Sequence, residues 1–418
     1  MSGQVSPTGT GSGNGRYLAF LRENARWLSA SYLLAVFSGF GQTFFISLSG
    51  GDIRAEFGLS HGELGLLYML ATLASALTLP YVGRSLDHFP VRRIAAVVMT
   101  GLALCCLAMA ASFSVWSVAL AFYGLRLCGQ GMMTHTSLTA AGRWFSAQRG
   151  RALSIAVLGF PTAEALFPLC FVVLNNQFGW RGAWTVSACV LFLLAMPVLL
   201  TLLARDRVPS VAEVATARPE GRQWTRREAL RDPRFWVVSC GVNAPAFIGT
   251  AIFFHQVYLV ELRGWTLELF ASAFLVMAAG VVVASLTVGP LIDRFSARQL
   301  LPFTLVPLSL GCFVLGLVHA PAAAFIFMAL VGISNGFNST MVGALWPEVY
   351  GTRHMGAIRS VAFAIMVFAS AAGPGLVGWL IDLGVAFDLQ IFGMGLYCVL
   401  FCAVLAAAAR AYRPIEYS

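Results

Sequence analysis

Apolar residues run through this chain in stretches of about twenty, nearly free of charge and separated by short polar or Gly- and Pro-containing breaks. Within a stretch they neither alternate nor keep to one stripe, which predicts helices with apolar surroundings on every side. About twenty such residues, rising about 1.5 Å each, cover the hydrocarbon of a bilayer. Twelve segments reach that length: 27–50, 63–83, 93–112, 115–140, 152–175, 182–204, 234–260, 267–290, 299–318, 321–343, 357–381 and 389–410. The pattern predicts an all-α membrane protein with twelve transmembrane helices.

The breaks repeat. Gly83-Arg84-Ser85-Leu86-Asp87 follows the second segment and Gly289-Pro290-Leu291-Ile292-Asp293 follows the eighth, with the two aspartates 206 positions apart. A duplicated six-helix unit accounts for this spacing. The chain then divides into an N-terminus at 1–26, one bundle at 27–204, a linker at 205–233, a second bundle at 234–411 and a tail at 412–418. Residues 1–15 are rich in Gly, Ser and Thr, with neither a basic start nor an apolar core. They read as a disordered tail rather than a cleavable signal. The linker mixes Pro, Glu and Arg and predicts a short amphipathic helix around Trp224 to Leu230.

Composition agrees: 58% of residues are hydrophobic, 11% are charged and the mean hydropathy is +0.78, which excludes an ordinary soluble domain. Lysine is absent, so all 27 basic residues are arginines. With the N-terminus inside, 23 of them fall on inner segments and only Arg54, Arg181 and Arg263 on outer loops. That bias predicts both termini in the cytoplasm. It also explains the net charge of +9 through insertion topology and attraction to anionic lipid, so nucleic acid is not an expected partner. The nine cysteines lie on predicted spans with no C-x-x-C pair and no zinc spacing. No disulfide, metal or cofactor is expected. No nucleophile-base constellation and no phosphate-binding G-x-x-x-x-G-K-[ST] run argues for an enzyme or an ATP-driven pump.

Chemistry is sought where polar groups lie in hydrocarbon. A charged side chain at a helix centre costs about 2.5–3.5 kcal/mol on insertion scales, and only Arg126 and Glu164 lie that deep. Each is about a dozen residues into its span, on consecutive helices of opposite direction, which predicts similar depth and a pairing of the two. The pair reads either as a substrate anchor with a proton-linked partner or as a permanent structural bridge. Tyr123, Arg126, Gln130 and Thr134 recur at spacings of three and four, giving the fourth helix a polar stripe fit to face water or substrate. Gly159-Phe160-Pro161 and Gly373-Pro374-Gly375 mark places where a helix can bend or be approached closely.

These features resemble the major facilitator superfamily, whose two six-helix bundles rock about a central site. Its loop signature G-x-x-x-D-x-x-G-R-[RK] is matched by Gly83, Asp87, Arg92 and Arg93, with Pro90 in place of the second glycine, and is echoed by Asp293, Arg294 and Arg298. Leu125 to Gly131, Arg143-Trp144-Phe145 and Arg149-Gly150-Arg151 are similar to the bacterial monocarboxylate-porter and oxalate/formate-antiporter branch. Departures are the lack of a lysine on the first helix and of an Asp or Arg inside the eighth. The resemblance implies a cavity lined by helices one, four, seven and ten. Beside Arg126, Gln130 and Tyr123, the matching substrate-binding positions are Gln42, Asn243, His255, Gln256, Tyr258, Asn335 and Asn338, with Tyr32 and Thr43 on the same lining. Glu164 is the expected proton-coupling residue. Gating is expected from Gly83, Asp87, Arg92, Arg93, Arg143, Asp293, Arg294 and Arg353, with Asp87 bonded to Arg143 and Asp293 to Arg353 or Arg359.

The function this implies is proton-coupled transport of a small organic anion by a monomer in the bacterial inner membrane. Its partners are the substrate, the proton and membrane lipid. An alternative is a drug or metabolite exporter with a pocket of Phe247, Phe253, Phe254 and Tyr258. A third class is a non-transporting membrane sensor, for which no soluble output domain is seen.

Overall fold

The computed structural model describes residues 13–145, 148–205, 207, 223–351 and 353–411. Residues 1–12, 208–222 and 412–418, which hold the tails and most of the linker, lie outside them. Among the described residues there is no strand. Nine helical stretches among the described residues are long and apolar enough to cross a membrane, or ten with one bent pair. Twelve crossings follow once the compound stretches are resolved. Gly150–Leu202 changes course at Gly179, whose φ of 69° and ψ of 169° are not helical, and so holds two helices. Val115–Leu125, Arg126–Met133 and Thr134–Trp144 continue one another, the middle piece with the wider π turn.

We number the crossings α1 (13–57), α2 (His61–Gly83), α3 (Val91–Ala110), α4 (115–144), α5 (149–178), α6 (180–202), α7 (233–263), α8 (Leu267–Phe295), α9 (297–317), α10 (Ala322–Tyr350), α11 (Met355–Asp382) and α12 (Phe387–Ala411). The short helix expected near the end of the linker runs over Arg226–Arg231. It begins at Thr225, whose hydroxyl accepts from the Glu228 amide while the Glu228 carboxylate accepts from the Thr225 amide.

Leu77 and Leu286, on α2 and α8, are 74% and 71% exposed. Large apolar side chains on the outside of membrane-length helices fit a lipid surround, because the helix satisfies its own backbone and needs no water. The interior relies instead on small residues that let backbones meet. A Cβ on Gly332 would lie 2.2 Å from the Met277 carbonyl oxygen, so α8 and α10 touch backbone to backbone there.

The described hydrogen bonds between the two halves all lie at one end, away from the termini. Ser47 of α1 donates to the Phe253 carbonyl of α7 at 2.7 Å, and Gln256 donates to Phe44 O at 3.0 Å and Ser47 Oγ at 2.8 Å. Asp382 of α11 caps the start of α2, accepting from Ser60 Oγ at 2.6 Å, Gly62 N at 2.8 Å and His61 N at 3.2 Å. Asn176 of α5 reaches Glu268 of α8 at 2.7 Å. The bundles are thus clasped at the end remote from the termini.

Candidate anion site

Two irregular backbones build the site. α1 breaks at Ser38–Gly41, Gln42 is extended (φ −89°, ψ 155°), and the chain bends by 43° before continuing. The break leaves the Gly41 carbonyl without its helical partner. Opposite it, α4 widens into its π segment at Arg126, a local distortion common at functional sites. The two meet glycine to glycine: a Cβ on Gly41 would lie 2.2 Å from Leu125 O and 2.6 Å from Gly129 Cα. Only hydrogen at both positions allows the approach.

Arg126 is 1% exposed. Its Nη1 donates to Gly41 O at 3.3 Å and to Thr43 Oγ1 at 3.5 Å, and the guanidinium lies over the Tyr68 ring, 5.4 Å from its centroid. Thr43 and Tyr68 share a hydrogen bond of 2.7 Å. Nε and Nη2 have no hydrogen-bond partner, and among the described residues no ion pair reaches the group. A buried guanidinium with half its fork unused is the donor set for a carboxylate, which takes two parallel N–H groups.

The expected bridge from Arg126 to Glu164 is not formed. Glu164, on the α5 turn after Pro161, has no ion pair or hydrogen bond among the described residues. The reason is the broken α1: its Gly39 packs on Ala163 and Phe167 of α5, while its Gly41 and Thr43 occupy Arg126. Equal depth along two helices does not bring side chains together when a third stands at the contact.

The polar stripe on α4 divides. Tyr123 donates to Thr78 of α2 at 3.1 Å, a packing bond, whereas Gln130 is half-buried beside the Gly41 contact. Gln42 is half-buried at the α1 break, and Tyr32 donates to Thr162 of α5 at 2.8 Å. In the second half, Asn338 donates to Val242 O at 2.9 Å and Asn243 to Ser239 O at 2.8 Å within α7, while Asn335 is half-buried. His255, Gln256 and Tyr258 do not join Arg126. They lie in the clasp between the halves, because α7 is interrupted at Asn243 and again at His255, and the last piece turns toward α1 and α2.

At the end of the bundle near the termini, Arg143 Nη2 meets Asp87 Oδ1 at 2.6 Å. Gly83 faces His135 across a gap that a Cβ would narrow to 3.3 Å. Arg92 is exposed, and Arg93 and Arg294 lie over the rings of Phe89 and Phe295. The second half departs from the expected copy. Among the described residues Asp293 has no ion pair, Arg359 Nη2 donates to Gly343 O at 2.6 Å, and the Arg353 amide bonds Gln223. Glu348 takes the capping role there, accepting from the Ala297 amide at 2.9 Å. Among the described residues no cluster of His, Cys, Asp and Glu could hold a metal.

Tyr68, Gly41 and Gly129 are site residues that composition and spacing did not single out. The signal was present as two glycine doublets inside spans, Gly39-Phe40-Gly41 and Gly129-Gln130-Gly131.

The model of the Major Facilitator Superfamily matches residues 31–374. The chain belongs to that superfamily and is a membrane transporter of its fold. An MFS-type efflux pump of Mycolicibacterium smegmatis is 27% identical over 307 residues, 70% of this chain and 69% of that one. Monocarboxylate transporter 14 of Mus musculus is 21% identical over 418 residues, covering 80% and 81%. Among solved structures, a bacterial homolog of the human lysosomal transporter Spinster superposes with a TM-score of 0.71 over 93% of this chain and 97% of that one, at 16% identity. The nucleoside transporter NupG gives 0.68 over 93% and 99%, at 13% identity.

Proposed function

We propose that this superfamily member moves a small monocarboxylate-like anion by alternating access coupled to protons, with its bundles at 27–204 and 234–411. The observation that carries the reading is Arg126, a buried cation with two unpartnered nitrogens at the meeting of two broken helices. An uncompensated charge in such a place is costly, and an anionic substrate supplies what the protein withholds. Glu164, a titratable carboxyl with no counter-ion among the described residues, is the proton-linked residue of this scheme. In this scheme Gln42 and Gln130, at the α1–α4 meeting, serve as neutral hydrogen-bonding groups for the substrate, with Asn335 and Asn338 of α10 as their counterparts in the second half. Asp87 with Arg143, beside Gly83, Arg92 and Arg93, forms the gate near the termini. By the arginine bias, this is the cytoplasmic face of a bacterial inner membrane.

The test is uptake of labelled pyruvate or lactate into proteoliposomes under an imposed pH gradient, with Arg126→Gln beside wild type. Loss of anion uptake in a folded Arg126→Gln protein supports the reading. Wild-type affinity with only a lower melting temperature makes Arg126 structural.

A second reading rests on an open apolar groove of about 650 Å³ between α7, α11 and α12, lined by Phe247, Phe368, Leu376 and Tyr397 with few polar atoms. Such a space suits a hydrophobic cargo and hence an exporter. Export of a lipophilic dye with no anion uptake favours it.

A further inference from the structure

The clasp holding the halves together contains two imidazoles that the anion site does not use. His61 begins α2 in the first half, and His255 interrupts α7 in the second, with ring centroids 5.9 Å apart. The Tyr258 ring is 4.3 Å from that of His61. Arg54, on the short helix after the α1 break, places Nη1 3.0 Å from His61 Nε2. His255 Nε2 donates to the Pro374 carbonyl at 3.1 Å. Arg54, His61, His255 and Tyr258 line, with Ser47 and Leu64, a small, partly open pocket of about 10 Å³.

The Arg54 contact fixes the protonation state, because a guanidinium carries only donors. His61 Nε2 must accept, so the ring that makes this bond is neutral and bears its hydrogen on Nδ1. A second proton on that ring would set two cationic donors against one another at 3.0 Å, with His255 on the far side. The other charged group facing the ring is Asp382. Its oxygens already accept from Ser60, His61 N and Gly62, and no ion pair joins it to the His61 ring. Tyr258 and Glu63 complete the surroundings; the Glu63 carboxylate is held by the Ser60 amide at 2.8 Å.

We infer that His61 is a proton-binding site that sets this clasp: it is neutral while the halves are closed, and a proton taken at Nε2 from the face remote from the termini sets its ring against Arg54 of its own half, moves it off Tyr258 and His255 of the other half, and so opens that face. Closure expels the proton again. The backbone makes the clasp sensitive to so small a change. Gly62, Gly65 and Gly378 bring α2 and α11 so close that a Cβ on them would lie 2.5 Å from Asp382 Oδ2, 2.4 Å from Pro374 O and 2.4 Å from His61 O. The clasp therefore closes fully or not at all.

The inference rests on the alternating-access reading but not on the anion assignment, and its test needs no substrate. Spin labels at Ala55→Cys and Ala386→Cys, both exposed at this end and on opposite halves, are introduced into the full chain with its native cysteines replaced. Distances between them are read at about pH 5.5 and about pH 8, on either side of the ordinary imidazole pKa. The open-to-closed ratio should rise on acidification, by up to about tenfold per pH unit. His61→Asn, whose side-chain oxygen can still accept from Arg54, should stay closed at both values, with His61→Gln as a second neutral variant. Arg54→Gln should respond less to acid. An unchanged wild-type distribution overturns the proposal, as does acid opening that persists in both His61 variants or vanishes only in His255→Asn. Each of these results leaves anion transport through Arg126 to be judged by its own uptake assay.

Discussion

Adding one methyl group at Gly41 tests whether the anion site is built by backbone contact. Its Cβ would lie 2.2 Å from Leu125 O and 2.6 Å from Gly129 Cα, where ordinary contact begins near 3.4 Å. The α1 break and the π segment of α4 must therefore separate by about 1 Å. Both neighbours are backbone, so no rotamer change relieves the clash, and the cost belongs at the upper end of the range of about 1–3 kcal/mol for an overfilled core. For a chain of this length, that lowers the melting temperature by about 3 °C. The same movement stretches the 3.3 Å bond from Arg126 to Gly41 O beyond hydrogen-bond reach, so anion affinity should fall with stability.

Gly393→Ala is the control. It is also a mid-helix glycine, on α12, but its Cβ meets nothing within 4 Å, so the change should be neutral or stabilising by about 0.5–1 kcal/mol. Thermal unfolding in detergent and anion binding to purified protein report both quantities. If Gly41→Ala is as stable as Gly393→Ala and binds the anion like wild type, the glycine contact does not organise the site.

Asp382→Asn removes the charge from an acceptor of three donors at the start of α2 and should shift the clasp toward opening by about 1–2 kcal/mol, a factor of about 5–30; the label pair at Ala55 and Ala386 measures it, and a shift under twofold counts against the capping role. Asp87→Asn breaks a largely exposed pair, so the melting temperature should hardly move, while cysteine accessibility near the termini should rise; unchanged accessibility and transport rate would make that pair ornamental. Glu164→Gln should leave anion exchange in place while abolishing accumulation driven by a pH gradient, as read by proteoliposome uptake with and without the gradient. If gradient-driven accumulation persists, the coupling proton binds elsewhere.

Much of this was legible in the chain because a membrane imposes strong local rules. Length and hydropathy set the twelve crossings, and the repeat at Asp87 and Asp293 revealed the duplication, since both depend on a residue and its near neighbours in sequence. Arg126 stood out for the same reason: a charge inside an apolar run is visible without knowing what it touches. Partners were another matter. Arg126 bonds to Gly41 and Thr43 rather than to Glu164, because α1 breaks at Gln42 and stands at the contact. His255 and Gln256 share α7 with Asn243 yet belong to the clasp, because that helix is interrupted twice. Asp293 repeats the position of Asp87 but has no ion pair among the described residues, and Glu348, from a different helix, does the capping in that half. The chain alone determined which segments cross the membrane and which residues are costly to bury there. Only the tertiary structure decided which of those residues meet, because a break of one or two residues turns every side chain beyond it toward a different neighbour.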